Sequence, residues 1–209
     1  MKHWFTSDTH FGHVNIIGYC DRPFRLADPS LCKRCGFGRP DWRDSHGAAC
    51  CHPDIVAHDE ALIANWNERV APDDEVRHLG DFALTHIGRV TDILKRLNGK
   101  KYLIMGNHDR HTKTAYRNAG FHEVSREASL NVDGFRLKLK HDFKRVVDDL
   151  WGYDAVLVGH VHEHWRERAV DASRWGEKKE RRIINVGVDV WDYRPVSLAE
   201  LRNGALARP

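Results

Sequence analysis

Five short motifs carry metal-type side chains: Asp8 and His10 in "SDTH", Asp81 in "LGDF", Asn107, His108 and Asp109 in "GNHD", His141 in "LKHD", and His160 and His162 in "GHVH". Carboxylate, amide and imidazole groups together suit divalent Mn, Fe, Zn or Co and do not select among them. Asp8 and His10 are two residues apart, as are His160 and His162. At an irregular strand exit that spacing lets both side chains face one ion. A glycine precedes Asp81, Asn107 and His160 and permits a tight backbone turn there. Any one of these motifs read alone is a turn or a surface histidine. Five in succession, each behind an apolar stretch, are hard to explain as turns. The 15 histidines of the chain point the same way, because imidazole is a common metal ligand.

A second donor cluster lies in "CKRCGFGRPDWRDSHGAACCH". Cys32 and Cys35 form C-x2-C, and Cys50, Cys51 and His52 follow. Thiolates and imidazole at such spacing suit a closed structural zinc site. The expected ligands are Cys32, Cys35, Cys50 and one of Cys51, His52 or His46, since adjacent Cys50 and Cys51 do not easily both ligate. A metal there would replace a missing apolar core, binding free energy becoming folding free energy. Lys33, Arg34, Phe37, Arg39, Trp42 and Arg43 lie among and around the ligands, a mixture that holds phosphates and stacks on bases, or else forms the solvated face of a stapled loop. Cys20 stands apart and reads as a plain buried or loop thiol.

The elements that must position these residues follow from periodicity. Residues 3–8 read as a short strand entering a polar loop. Residues 25–56 read as an irregular cysteine-rich insertion. Ala57, Leu62, Ile63, Trp66 and Val70 mark a helix, "EVRHLGD" a strand ending at Asp81, and Ile87, Val90, Ile93, Leu94 and Leu97 a second helix with Gly99 as its stop. "KKYLIMGNHD" is a buried strand, and a short helix follows near 111–119. "EASLNVDGFRLKLKHD" alternates on both sides of Asp133-Gly134, a hairpin with Phe135, Leu137 and Leu139 inward. "YDAVLVGHVHEH", "RRIINVGVDV" and "RPVSLAEL" read as further strands. An alternating first half and a strand-rich second half predict an α/β (α+β) fold: two mixed sheets packed face to face, with helices outside.

The 209 residues suit one domain, 1–209, with the insertion inside it. Hydrophobic residues at 41% and charged residues at 30% are ordinary for a globular protein, and a net charge of +3 is too mild to argue for nucleic acid by itself. No apolar signal-peptide core follows Met1, and no apolar run is long enough for a membrane span. Cysteines clustered with histidines fit metal binding in a reducing compartment. The expected location is therefore cytoplasmic.

The motif order D-x-H, G-D, G-N-H-D, H, G-H-x-H, running from Asp8 to His162, resembles the calcineurin-like metallophosphoesterase superfamily. The flanking "TSDTHFGHVNII" and "NVGVDVWDYRPVSL" are similar to a compact bacterial and phage subgroup of it. The resemblance implies a four-layer fold and a phosphoester hydrolase with two metal ions. Asp8, His10, Asp81 and His162 would hold one, and Asp81, Asn107, His141 and His160 the other, with Asp81 bridging. It implies that His108 is the non-ligand histidine by the leaving group and that Asp109 orients its ring, turn capping being the alternative for Asp109. His13 and Asn15 are candidate contacts to substrate phosphate, with loop hydrogen bonding as the alternative. His78 would support the site, and His3, His58, His86, His111, His122 and His164 are not expected to ligate. Two ions ~3.5–4 Å apart can clamp a phosphoryl group and activate water.

The second motif, "GDFALTHIG", lacks the arginine that phosphoprotein phosphatases of this superfamily carry, and "GNHD" replaces their G-N-H-E. The resemblance therefore points to a phosphodiesterase acting on a nucleotide, a cyclic nucleotide or a nucleic-acid end. A phosphomonoesterase is the alternative, and a non-catalytic metal-binding scaffold a more distant one. The insertion is expected to form a lid or wall beside the centre.

Overall fold

The computed structural model describes residues 1–35, 50–144, 150–171, 180–204 and 206. In strand β1 (His3–Thr6), Trp4 enters one apolar cluster and Phe5 another, because successive side chains leave opposite faces of a strand. Parallel strands β2 (Glu75–His78), β3 (Lys100–Ile104) and β4 (Glu123–Ser125) continue this sheet, and β10 (Val196–Ser197) pairs antiparallel with β1 at the far edge. The second sheet holds β5 (Glu127–Val132), β6 (Phe135–Lys140), β7 (Ala155–Val158), β8 (Glu167–Val170) and β9 (Arg181–Asn185), in the order β5-β6-β7-β9-β8. Here β6, β7 and β9 run parallel, while β5 and β8 are antiparallel edges.

The two sheets meet over Phe5, Leu79 and Ile104 from the first and Leu137, Leu139, Leu157 and Ile184 from the second. Helices α2 (Ile55–Arg69), α3 (Ile87–Arg96) and α4 (Lys113–Ala119) cover the outer face of the first sheet. They bury Leu62, Trp66, Val90, Leu94 and Tyr116 against Trp4, Val76 and Leu103. They are also the crossovers that parallel strands require. On the outer face of the second sheet, Leu150, Val156, Val158 and Ile183 form a smaller cluster against Phe143 and Trp165. Strand β7 is buried on both faces, which explains its continuous apolar run. The fold is thus mixed α/β, two mixed sheets with flanking helices.

The expected hairpin forms at Asp133-Gly134, both residues having positive φ, and pairs Val132 with Phe135. "RPVSLAEL" departs from the strand reading. Only Val196–Ser197 pairs with β1, and the rest is helix α5 (Leu198–Asn203). Its capping box, Ser197 with Glu200, overrides a stretch whose apolar residues suggested a strand. "RRIINVGVDV" likewise leaves the sheet after Asn185 and forms a 3-10 turn at Val188–Val190. Strands β4 and β8 had no expectation. Residues 36–49, including His46, Phe37, Arg39, Trp42 and Arg43, lie outside the described residues.

The motifs sit at the carboxyl ends of parallel strands: Asp8 after β1, Asp81 after β2, Asn107 after β3, His141 after β6 and His160 after β7. Ser7 bridges Gly187, tying the end of β1 to the segment after β9 and bringing the ends of both sheets together.

Candidate metal centre

Two donor groups stand at this junction. Ligand atoms of Asp8, His10 and His162 lie within 4.8 Å of one another, as do those of Asp81, His141 and His160. Asp81 links the groups: its Oδ2 is 3.6 Å from His10 Nε2 and 3.3 Å from His141 Nε2. Asn107 Oδ1 lies 3.0 Å from both His141 Nε2 and His160 Nδ1. All seven expected ligands are therefore gathered in one place.

The backbone is held in an unusual state to achieve this. Asp8, His10, Asp81, His160 and His162 all adopt positive φ, between 45° and 73°. Residues with side chains rarely do so, and such strain collects at functional sites. The three preceding glycines were expected to permit turns, yet only Gly80 has positive φ. At Gly106 and Gly159 close approach is the cause. A Cβ on Gly106 would lie 2.2 Å from Asp81 Oδ1, and one on Gly159 2.6 Å from Asp8 Oδ2.

The histidines are oriented by their second nitrogens. His141 Nδ1 donates to the Leu79 carbonyl at 2.7 Å, leaving Nε2 for the centre. His162 Nδ1 donates to Asp189 Oδ2 at 2.9 Å, leaving Nε2 3.9 Å from Asp8 Oδ1. His10 Nδ1 meets His13 Nδ1 at 3.2 Å. Outward partners of this kind fix tautomer and ring direction in metal sites. His10 Nε2 is buried and has no hydrogen-bond partner among the described residues. An orphaned, aimed nitrogen beside two carboxylates fits a divalent cation, and so does the donor set.

Electrostatics divide the histidines. Burial, abetted by neighbouring positive groups, lowers His10 well below the usual imidazole range, lowers His13 to about 4, and lowers His160. The neutral ring is thereby favoured at His10 and His160, the form that binds a metal ion, and at His13 beside them. Burial opposes charge on His141 too, but the Asp81 hydrogen bond and the Asp8 charge raise it to about 9. His162 is raised as well, since Asp189 and Cys20 outweigh its burial. Burial pushes the Asp81 carboxyl up, and the hydrogen bond and charge of His141 hold it below the ordinary range.

Asp109 differs from the expectation that it orients the His108 ring. It accepts the amides of Asp81 (2.8 Å), Phe82 (3.0 Å) and Gly106 (2.8 Å), and the Tyr116 hydroxyl at 3.4 Å. Its oxygens are thus committed to the loop backbone, and His108 Nδ1 has no partner among the described residues. Asp109 positions the second and third motifs. The His108 amide donates to Asp81 Oδ1 at 2.8 Å, and its ring stands 5.3 Å from that of His10. A cavity of about 270 Å³ opens beside it, lined by His10, His13, Ile16, Tyr19, Cys20, His108, His162, Glu163 and His164. His13 therefore faces the cavity. Asn15 instead precedes helix α1 (Ile16–Tyr19), where its carbonyl accepts the Gly18 and Tyr19 amides, and it is absent from the lining. His78 supports the first motif by bonding Thr9 Oγ1 at 2.9 Å.

Three residues here escaped the sequence reading. Arg22 is fully buried, gives two bonds to Asp189 (2.8 and 2.9 Å), and donates to the carbonyls of Asp8 (2.7 Å) and Thr9 (3.2 Å). Asp189 passes that anchor to His162. Cys20, read as a thiol standing apart, lines the cavity beside His162. None has a spacing that signals its role; "DVWD" after a strand was the nearest hint for Asp189. In the insertion, Cys32, Cys50 and His52 come together, while Cys51 Sγ contacts Gly18.

Comparison with known proteins identifies the family and the fold. Residues 44–195 match the model of the calcineurin-like phosphoesterase superfamily domain. The first motif precedes that match and joins the others through the fold. The chain is 30% identical over 199 residues to an uncharacterized protein of Methanocaldococcus jannaschii, covering 94% of this chain and 87% of that one. It is 25% identical over 222 residues to the Gene 66 protein of Mycobacterium phage L5, covering 90% and 86% respectively. Among solved structures, a protein of unknown function from Aquifex aeolicus superposes with a TM-score of 0.63 at 24% identity, covering 97% and 98% of the two chains. A structure described as a novel archaeal phosphodiesterase shares the fold at a TM-score of 0.50 and 19% identity, covering 95% of this chain and 100% of that one. Since the matched segment is well over half of its length, the chain belongs to the calcineurin-like phosphoesterase superfamily and is a hydrolase of phosphoesters.

Proposed function

We propose that this hydrolase is a phosphodiesterase with a dinuclear metal centre, acting on a nucleotide, a cyclic nucleotide or a nucleic-acid end. The observation that carries this reading is the shared Asp81 Oδ2, 3.6 Å from His10 Nε2 and 3.3 Å from His141 Nε2. One carboxylate thereby serves both donor groups: Asp8, His10 and His162 on one side, Asn107, His141 and His160 on the other. Divalent ions held there supply Lewis-acid polarisation of a phosphoryl group and a nucleophilic water near neutral pH.

The chain's own residues supply the rest. His108 faces the cavity with a ring able to hold a proton for the leaving oxygen. Asp109 keeps the loop that carries His108 in place. His13 sets the ring of His10. The cavity wall supports the choice of a diester. Among the described residues its lining includes no arginine or lysine. A monoester phosphate carries about −1.5 to −2 near neutral pH and calls for such groups, whereas a diester carries a single charge. Arg22, a buried cation, is committed to Asp189. Tyr19, 60% exposed at the rim, offers a ring face for a base.

The test is a substrate panel with manganese added. It comprises bis-p-nitrophenyl phosphate, p-nitrophenyl phosphate, 2′,3′- and 3′,5′-cyclic nucleotides, short RNA and DNA, nucleotide monoesters and a phosphopeptide. A higher kcat/KM for diesters is expected. A preference for monoesters would overturn the diesterase assignment, and bound metal without any hydrolysis would favour a scaffold.

A further inference from the structure

Where the chain enters and leaves residues 36–49, a donor group forms that the phosphoesterase centre does not use. Ligand atoms of Cys32, Cys50 and His52 lie within 4.8 Å of one another. Cys32 Sγ and Cys50 Sγ are 3.6 Å apart. That is far beyond the ~2.05 Å of a disulfide. It is close to the ~3.8 Å between two sulfurs bound tetrahedrally at ~2.3 Å to one zinc ion. The His52 amide donates to Cys50 Sγ at 3.4 Å, and His52 takes a left-handed backbone at φ 48°. Both place its ring, rather than the neighbouring thiol, in the group. Cys51 is turned the other way: its sulfur lies 3.2 Å from where a Cβ on Gly18 would be.

We infer that Cys32, Cys50 and His52 form a zinc site that braces the wall of the substrate cavity. Thiolate donors select zinc over manganese, whereas the Asp, Asn and His donors of the hydrolytic centre accept either, so the two sites sort metals by softness. The brace runs through the chain on both sides of the site. Leu26 N donates to the His52 carbonyl at 2.8 Å, Asp54 N to the Phe24 carbonyl at 3.0 Å, and Arg25 Nη1 to the Cys51 carbonyl at 3.0 Å. Cys51 then packs on Gly18 in α1, the helix that carries Ile16 and Tyr19 into the cavity. This part of the segment has little apolar support, since Cys32 is buried but Leu31 is 62% exposed. The metal supplies the missing cohesion. The consequence for substrate rests on the proposed function; the zinc site does not.

The test compares the full chain with the Cys32→Ser/Cys50→Ser double variant. The wild type is expected to carry one zinc ion that manganese does not displace, and to show a thiolate-to-cobalt charge-transfer band after cobalt replacement. The variant loses both and keeps manganese binding at the Asp81 centre. Amide exchange at residues 16–20 quickens, and KM for bis-p-nitrophenyl phosphate rises roughly fivefold with kcat within about twofold, the pattern of lost binding rather than lost chemistry. Absence of the zinc and of the cobalt band in the wild type overturns the site. Zinc loss with unchanged amide exchange overturns the brace. Should the variant fail to fold, zinc is withdrawn from the native wild type with a thiol reagent and chelator, and the same exchange measurement decides. Failure of every phosphoester substrate with zinc and exchange as expected counts against the proposed function alone.

Discussion

His108 and Asp189 carry different tasks, and substitution separates them. His108→Ala leaves every proposed metal donor in place and removes a ring that lines the cavity. It is expected to retain metal by elemental analysis and to lose ~10²–10⁴ in kcat. Wild-type turnover would remove His108 from the chemistry. Asp189→Asn takes the carboxylate from His162 Nδ1 at 2.9 Å and from the buried Arg22 guanidinium. Metal affinity measured by calorimetry should fall ~10–100-fold, as for other partners of ligating histidines. An unchanged affinity would make Asp189 a fold residue only. Protonation gives a third check. Without metal, His141 holds its proton up to about pH 9, and ligation must displace it. Manganese uptake at pH 7 should therefore release protons, and apparent affinity should climb as pH rises through 9 and go on climbing above it, since His162 is raised to about 11. Calorimetry in buffers of different ionisation enthalpy measures both, and pH-independent binding would contradict the assignment of His141 as a ligand. The sequence named the ligand-type residues because metal chemistry restricts them to a few side chains. It did not single out Arg22 or Asp189, and it set Cys20 apart as a plain thiol, because their roles depend on contacts between segments far apart in the chain.

At the scale of elements, the centre is built where strand ends approach too closely for any side chain. Gly159 joins the two sheets in this way, since a Cβ there would fall 2.6 Å from both Asp8 Oδ2 and Ser7 Oγ. Gly159→Ala is expected to fold with a clearly lowered thermal transition, an overpacking cost of about 1–3 kcal/mol, and to lose metal at the Asp8, His10 and His162 group. Normal metal content by elemental analysis would mean that the β1 and β7 ends can move apart. Most elements were legible from periodicity, because helices α2 and α3 and the β5–β6 hairpin each bury one face. The exceptions have local causes. Helix α5 was hidden by apolar residues that suit either state, although its S-x-x-E capping box was present in the sequence. The short strands β4 and β8 lie at sheet edges, where pairing rather than pattern decides. Asp109 could be read as a ring partner or a cap, and only the positions of Asp81, Phe82 and Gly106 around it decide for the cap.

At the scale of the molecule, the two-sheet architecture gathers residues more than a hundred positions apart: Asp8 lies within hydrogen-bond reach of the His160 amide. The order of motifs carried that information, since five metal-type strand ends have to converge for any of them to bind an ion. Which ester enters was less legible, because the cavity wall is assembled from α1, the turn after β7 and the third motif together. No helix among the described residues is long and apolar enough to cross a membrane. The claim that unites these scales is a hydrolytic centre of two ions sharing Asp81. It is tested most directly by adding manganese stepwise to the metal-depleted centre while following bis-p-nitrophenyl phosphate hydrolysis. The account predicts binding of two equivalents, with activity appearing as the second is taken up and Asp81→Asn losing both binding and turnover. Full activity with a single equivalent, or unaltered binding in Asp81→Asn, would contradict it.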